Sequence, residues 1–347
     1  MYFVYLPLLC MDALHYSFII PVFNRPDEIK ELLQSFIAIE GDITFEIVII
    51  EDGSTIDCKA IVKDFETNLN ISYYNKPNSG PGDSRNYGMQ KAKGNYFIIL
   101  DSDCLLPPQY INVVKSELDK DYVDCFGGPD AADDSFTNLQ KAINFAMTSF
   151  ITTGGIRGSK SKNNKFQPRS FNMGISKAAF QTSGGFGNIH PGEDPDLALR
   201  LTKLGFKTRL FKNAFVYHKR RISWSKFYKQ VHKFGLVRPI LNLWHPKSER
   251  MIFWLPSLFC LGLILAIVFA VFGNCFLLII FGLYLAFAFL LALFQTKNLM
   301  IAIQAIFAIF VQFFGYGFGF LKSTFVIKVL KKKPETHYPN LFFKNAI

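Results

Sequence analysis

Apolar residues follow two different patterns along this chain. Through about residue 100, short β-branched and aromatic runs alternate with stretches of helical period. The runs at 16–21, 45–51, 71–75 and 96–100 predict strands, and the segments at 26–38, 57–66 and 83–93 predict helices. This alternation predicts right-handed βαβ units and a mostly parallel sheet covered on both faces. Ligands of such sheets bind beyond the carboxyl ends of the strands. Asn24, Asp52, Asp101 and Asp103 all fall there.

Beyond residue 250 the pattern changes. Residues 252–294 are almost continuously apolar, broken at Gly273-Asn274, and 299–321 form a second such run. Each piece reaches the roughly 20 residues that a helix needs to cross a bilayer. Between the two regimes, 223–234 places Trp224, Phe227, Tyr228, Val231 and Phe234 on one helical face, with Lys226, Lys229 and Lys233 elsewhere. That pattern predicts an amphipathic helix lying on a membrane, with a plain surface helix of the domain as the alternative. The expected organisation is an N-terminal extension over 1–15, an α/β domain over 16–222 and a basic interfacial segment over 223–250. A transmembrane region of two to three helices over 251–321 and a basic tail over 322–347 complete it.

Composition sharpens this picture. The net charge of +11 is localised: residues 203–250 hold thirteen Lys and Arg against one acid, Glu249. No zinc, helix-turn-helix or RNA-stacking motif accompanies that strip, which excludes nucleic acid and leaves anionic membrane lipids as its partner. The six cysteines show no C-x-x-C spacing, against a disulfide framework or zinc site and in keeping with a reducing cytosol. Residues 1–10 are apolar but short and lack a basic leader, a poor signal peptide, and Met11 is a candidate start.

The chemistry begins at Asp101-Ser102-Asp103, where an apolar strand ends. A chain fixed by a buried strand and then released holds two carboxylates over a cleft. Their spacing suits a hard divalent cation that also binds phosphate oxygens. Further motifs stand in order around it: Pro21-Val22-Phe23-Asn24, Glu51-Asp52-Gly53-Ser54 and the glycine-rich helix start Asn78-Ser79-Gly80-Pro81-Gly82-Asp83-Ser84-Arg85-Asn86. After it come Asn172-Met173-Gly174, Gly184-Gly185-Phe186, Gly192-Glu193-Asp194-Pro195-Asp196-Leu197 and an isolated His218.

This ordered set, from about residue 17 to 218, closely resembles the family 2 glycosyltransferases. The resemblance implies the GT-A fold, a Rossmann-like and mostly parallel α/β sheet, here followed by C-terminal transmembrane helices. It assigns Asp52 to the uracil ring, Pro21 and Asn24 to the nucleoside pocket, and Gly80, Arg85 and Asn86 to close approach to the donor. By the same resemblance Asp103 binds Mn2+ or Mg2+, Asp101 reaches the ribose or the same cation, and His218 is a third metal ligand. Asp194 becomes the general base, and Glu193 shapes the donor or acceptor site.

Read from the residues alone, Asp194 is also a good N-cap for a helix over 195–204, a position that lowers a carboxylate's pKa. Asp196 and Arg200, four apart, form a structural pair. The polar, basic stretch 154–172 reads as a functional loop. Asp130, Asp133 and Asp134 read as a solvated loop near the acceptor cleft. Processive synthases of the family carry Gln-x-x-Arg-Trp on an interface helix, and here the region reads Gln230-Val231-His232-Lys233-Phe234. The departure favours single addition over polymerisation.

The expectation is therefore a multi-pass protein of the cytoplasmic membrane whose catalytic domain faces the cytoplasm. It moves a sugar, with inversion, from a nucleotide-diphospho-sugar, UDP-linked, to a hydroxyl of a lipid-linked glycan. The alternatives are a polyprenyl-phosphate glycosyltransferase, a sugar nucleotidyltransferase and a non-enzymatic membrane module. A nucleotidyltransferase wants a glycine-rich phosphate loop after the first strand, and 21–26 holds no glycine. Three crossings would place Lys328 and Lys331, Lys332 and Lys333 outside, against the positive-inside tendency, so either 299–321 is re-entrant or the bias is overridden.

Overall fold

The computed structural model describes residues 13–131, 136–154, 166–218 and 223–343. Met11, Asp133, Asp134 and the middle of the expected 154–172 loop lie outside the described residues.

Four apolar runs form the parallel half of a seven-stranded sheet. They are β1 (Tyr16–Val22), β2 (Phe45–Asp52), β3 (Ile71–Lys76) and β4 (Tyr96–Leu100), each within one residue of its predicted bounds. Between them lie α1 (Pro26–Ile37), α2 (Lys59–Phe65) and α3 (Pro81–Lys91). Side chains alternate across the sheet with the period of a strand. Phe18, Ile20, Ile47 and Ile49 pack beneath α1 and α2, whereas Ile19, Val48 and Ile50 pack beneath α3.

The second half is less regular. It comprises β5 (Cys104–Leu105), α4 (Tyr110–Lys120), β6 (Cys125–Gly127), β7 (Asp130–Ala131), α5 (Asn138–Thr148), α6 (Phe150–Thr153) and β8 (Asn172–Ser176). Then come α7 (Lys177–Ser183), α8 (Glu193–Lys203), β9 (Thr208–Leu210) and β10 (Val216–His218). The large sheet runs β3-β2-β1-β4-β8-β6-β9, with β8 antiparallel to both neighbours, and β5-β10-β7 make a small second sheet at its rim. Asn172 shows why β8 sits there: its side chain, fully buried, accepts from Tyr110 Oη at 2.6 Å and donates to the Ala214 carbonyl at 2.8 Å.

The C-terminal third holds α9 (Trp224–Trp244), α10 (Leu255–Val271), α11 (Phe276–Thr296) and α12 (Leu299–Thr324). Three segments, Met251–Val271, Phe276–Thr296 and Leu299–Val329, are long and apolar enough to cross a membrane. One expectation is corrected here. The apolar face of α9, expected on a membrane surface, is covered by protein: Phe227 and Val231 are buried against α5 and α12. The physical reason is a set of glycines. A Cβ at Gly235 would run into the Tyr316 carbonyl, and one at Gly319 into the His232 carbonyl, so the two helix backbones touch where side chains are missing. The helices run side by side in the same direction, Trp224 against Phe307, Val231 against Gly315 and Gly235 against Phe320.

After α12 the chain turns back onto the α/β domain. Tyr338 and Leu341 are buried with Ile189, Val237 and Ile240. His190 N donates to the Leu341 carbonyl at 2.8 Å, and Phe343 N to the Asn188 carbonyl at 2.9 Å.

Candidate active site

The small sheet assembles the first part of the site. β10 pairs antiparallel with β5, which sets His218 opposite Cys104 and therefore beside Asp103. Asp103 Oδ1 lies 3.2 Å from His218 Nε2, and its Oδ2 lies 3.3 Å from Arg25 Nη1. Asp103, Cys104 and His218 form a group whose ligand atoms all fall within 4.8 Å of one another. Burial pushes the Cys104 thiol well above its ordinary pKa, so it stays protonated at neutral pH. The remaining pair, one carboxylate oxygen and one imidazole nitrogen, fits Mn2+ and less closely Mg2+, which prefers oxygen alone. Asp101 is turned elsewhere: its Oδ1 accepts from Arg85 Nη2 at 2.8 Å.

Arg85 connects this rim to the first turn of α8. Its other arm, Nη1, donates to Glu193 Oε1 at 3.0 Å, and the guanidinium sits 5.3 Å from the centre of the Phe186 ring. Glu193 also meets His190 Nδ1 at 3.0 Å. Burial alone would raise the Glu193 pKa, but His190 and then Arg85 outweigh it and hold the group at about 2.

Asp194 behaves in the opposite way, and its expected capping role is corrected. The residue before α8 is Gly192, whose φ of 122 suits glycine, so Asp194 lies inside the first turn and is not the N-cap. Burial raises its pKa above the ordinary aspartate value, and the neighbouring Glu193 charge adds to that. Arg169, 3.6 Å away, offsets part of the rise. Adjacent carboxylates pushed in opposite directions are the usual signature of divided acid–base roles. Glu193 is a fixed anion, and Asp194 is a stronger base than a solvent-exposed aspartate.

The residues assigned to the nucleoside are organised by their own loops. Asp52 is buried and accepts from Lys76 Nζ at 2.8 Å, Ser79 N at 3.0 Å and Gly80 N at 3.0 Å. Asn24 Oδ1 accepts from Thr55 N at 2.9 Å and Ile56 N at 3.0 Å. Asn86 exchanges two 2.8 Å bonds with the Phe186 backbone, bracing the Gly184-Gly185-Phe186 turn. Pro21 pairs across to Ile50 within the sheet. Gly80 has φ 92 and the Phe343 ring lies directly against it, where a Cβ would not fit.

A cavity of about 1100 Å3 joins the acidic rim to the helical region. Of the predicted residues, Arg85, Asp101, Asp103, Glu193, Asp194 and His218 line it, while Pro21, Asn24, Asp52, Gly80 and Asn86 do not. Sequence reasoning missed Arg25, Arg169 and His190, which contact Asp103, Asp194 and Glu193. Two had a signal: Arg25 directly follows Asn24 at a strand's carboxyl end, and Arg169 lies in the basic loop already singled out.

The fold and rim define a GT-A class domain, in which a mostly parallel sheet carries acidic residues at the carboxyl edge of its strands. Residues 17–184 match the family described as Glycosyl transferase family 2, so the chain carries a family 2 glycosyltransferase domain, followed by three helices apolar enough to span a membrane. An uncharacterized glycosyltransferase of Rickettsia bellii is 38% identical over 89 residues, 26% of this chain and 13% of that protein. Chondroitin synthase of Escherichia coli is 25% identical over 243 residues, 60% of this chain and 35% of its own length. The chain thus spans little more than a third of such relatives at most. The mannosyltransferase PcManGT of Pyrobaculum calidifontis, solved with GDP-Man and Mn2+, shares the fold with a TM-score of 0.58 at 17% identity, over 86% of each chain.

Proposed function

We propose that this protein is an inverting glycosyltransferase that moves a sugar from a nucleotide-diphospho-sugar to a hydroxyl of a lipid-linked acceptor. The observation that carries the reading is that Asp103 and His218, the candidate cation pair, share one cavity with Asp194, the candidate base. In the reaction Asp194 takes the proton of the acceptor hydroxyl as that oxygen attacks the anomeric carbon. The bond to the diphosphate breaks from the opposite face, and its electrons leave with the diphosphate. An α-linked donor then gives a β-linked product. A divalent cation held by Asp103 and His218 would relieve the charge of the departing diphosphate. Arg85 keeps Asp101 and Glu193 in register, and the raised pKa of Asp194 suits it to accept a proton late in the transition state.

The C-terminal segment supports a specific membrane arrangement. Its bonds to Asn188 and His190 tie residues 338–343 to the α/β domain, which supports an even number of crossings. We read α10 and α11 as a hairpin through the bilayer and α12 as a helix held along α9. Lys328 and Lys331–Lys333 then stay with the domain, in keeping with the positive-inside tendency. The cytoplasmic face is the expected side, since nucleotide sugars are made there.

A donor panel of UDP-glucose, UDP-N-acetylglucosamine and GDP-mannose with Mn2+, scored by nucleotide release in detergent or lipid, tests the reading. Release from one donor that depends on added membrane lipid extract and vanishes in Asp103→Ala is the expected result. No nucleotide binding with either cation would overturn it.

A further inference from the structure

One wall of the cavity is basic. Arg169, Arg238 and Arg250 come from three separate segments, the stretch before β8, helix α9 and the link into α10, and all line the same space. Exposed Lys229 and Lys233 of α9 line it as well. Arg238 is 8% exposed, and its hydrogen-bond partners are neutral: Nε donates to Asn242 Oδ1 at 3.1 Å and Nη2 to Ser248 Oγ at 3.0 Å. The guanidinium also rests 4.3 Å from the centre of the Phe253 ring. Burial lowers its pKa to about 10; Tyr316 and Glu249 push it back up, and the charges of Arg169 and Arg250 push it further down. A buried cation with neutral partners and like charges close by is costly to hold, and an anion in the cavity removes that cost.

The same cavity continues into apolar surface. Leu255 and Pro256 at the start of α10 and Leu291 of α11 also line it, and Leu255 is 53% exposed. A ligand that fills the whole space therefore joins a hydroxyl-bearing group near Asp194 to an anion near Arg238 and a hydrocarbon chain at the helices.

We propose that Arg169, Arg238 and Arg250 form the subsite for the diphosphate of a polyprenyl-diphosphate-linked acceptor, whose hydrocarbon chain leaves past Leu255 into the bilayer. The inference rests on the lipid-linked reading of the acceptor and specifies how such an acceptor is held. Two phosphoryl groups suit three guanidiniums by bidentate, charge-assisted hydrogen bonds.

The test uses the full chain in phosphatidylcholine nanodiscs and follows tryptophan emission on titration with three probes. The probes are a long-chain polyprenyl diphosphate, the matching neutral polyprenol and inorganic pyrophosphate. The lipid diphosphate should bind at least about tenfold more tightly than either other probe, the difference that one charge-assisted bond supplies. Arg250→Gln, at an exposed position that leaves folding intact, should weaken lipid diphosphate binding about tenfold, and Arg238→Gln should weaken it further. Binding of UDP with Mn2+ should be unchanged in both. Polyprenol binding as tightly as the diphosphate, or both variants binding like wild type, would overturn the anion subsite. Pyrophosphate binding as tightly as the lipid would overturn the lipid half. The two readings fail separately: intact lipid binding without turnover on any donor defeats the transfer reaction alone, whereas turnover on a soluble acceptor without lipid binding defeats this inference alone.

Discussion

Arg169 Nη1 stands 3.6 Å from Asp194 Oδ2, a guanidinium set against the candidate base of a buried pocket. Burial raises the Asp194 pKa and Arg169 draws it back, so the pair tunes one proton acceptor. The acid limb of the kcat/KM profile should lie above the usual aspartate range. Arg169→Ala removes a charge that favours the carboxylate, so the limb should move to higher pH, and Arg169→Lys should move it partly back. An unmoved limb in Arg169→Ala would break the link between the two groups.

Asp194→Asn tests the base directly. The expected loss in kcat is about 10²–10⁴-fold, the range for removing a general base, with donor KM little changed. Wild-type turnover in this variant would instead point to a polyprenyl phosphate acceptor, whose oxygen needs no deprotonation.

Asp103 and His218 should control cation dependence. His218→Ala should raise the Mn2+ concentration for half-maximal rate about tenfold or more, and affect Mg2+ less, because nitrogen donors favour Mn2+. Chelation by EDTA should abolish nucleotide release, with recovery on adding Mn2+. Equal shifts for both ions in His218→Ala would remove His218 from the ligand set.

Glu193 should make the protein acid-sensitive through Arg85. Its folded pKa of about 2 lies below the ordinary 4.5, so the stability it contributes is present above 4.5 and is lost as pH falls toward 2. Arg85→Leu should lower stability by about 3–5 kcal/mol by stranding a buried carboxylate. Urea unfolding against pH, compared with Glu193→Gln, measures both effects, and a parallel acid response in that variant would exclude Glu193 as the source.

Gly235→Ala should destabilise the α9–α12 contact by about 1–3 kcal/mol, the cost of an overpacked interface. Thermal unfolding in detergent reads the change. A neutral effect would mean that the two helices separate easily.

A reporter fused after Ile347 checks the membrane arrangement. Cytoplasmic signal is expected, since the C-terminal segment bonds to Asn188 and His190 of the α/β domain. External activity alone would show three full crossings and detach that segment from the domain.

Some of this architecture was readable before any coordinates. Strands β1 to β4 were legible to within a residue because a buried parallel strand writes itself as an unbroken β-branched run. The acidic rim was legible too, because Asp52, Asp101 and Asp103 directly follow such runs. The lengths of α10, α11 and α12 came from hydropathy, a local property. Other features joined residues far apart and left no local trace. The partner of the α9 apolar face is a glycine stripe on α12, so periodicity reported an apolar face without saying whether lipid or protein covers it. His218 meets Asp103 only through the register of β10 on β5. The Asp194 pKa turned on burial, which outweighed the helix N-terminus that sequence position suggested. Local pattern thus determined which elements form and where the carboxylates emerge. The tertiary structure alone decided which charges face one another, because electrostatic and packing partners are set by distance in space and not by distance along the chain.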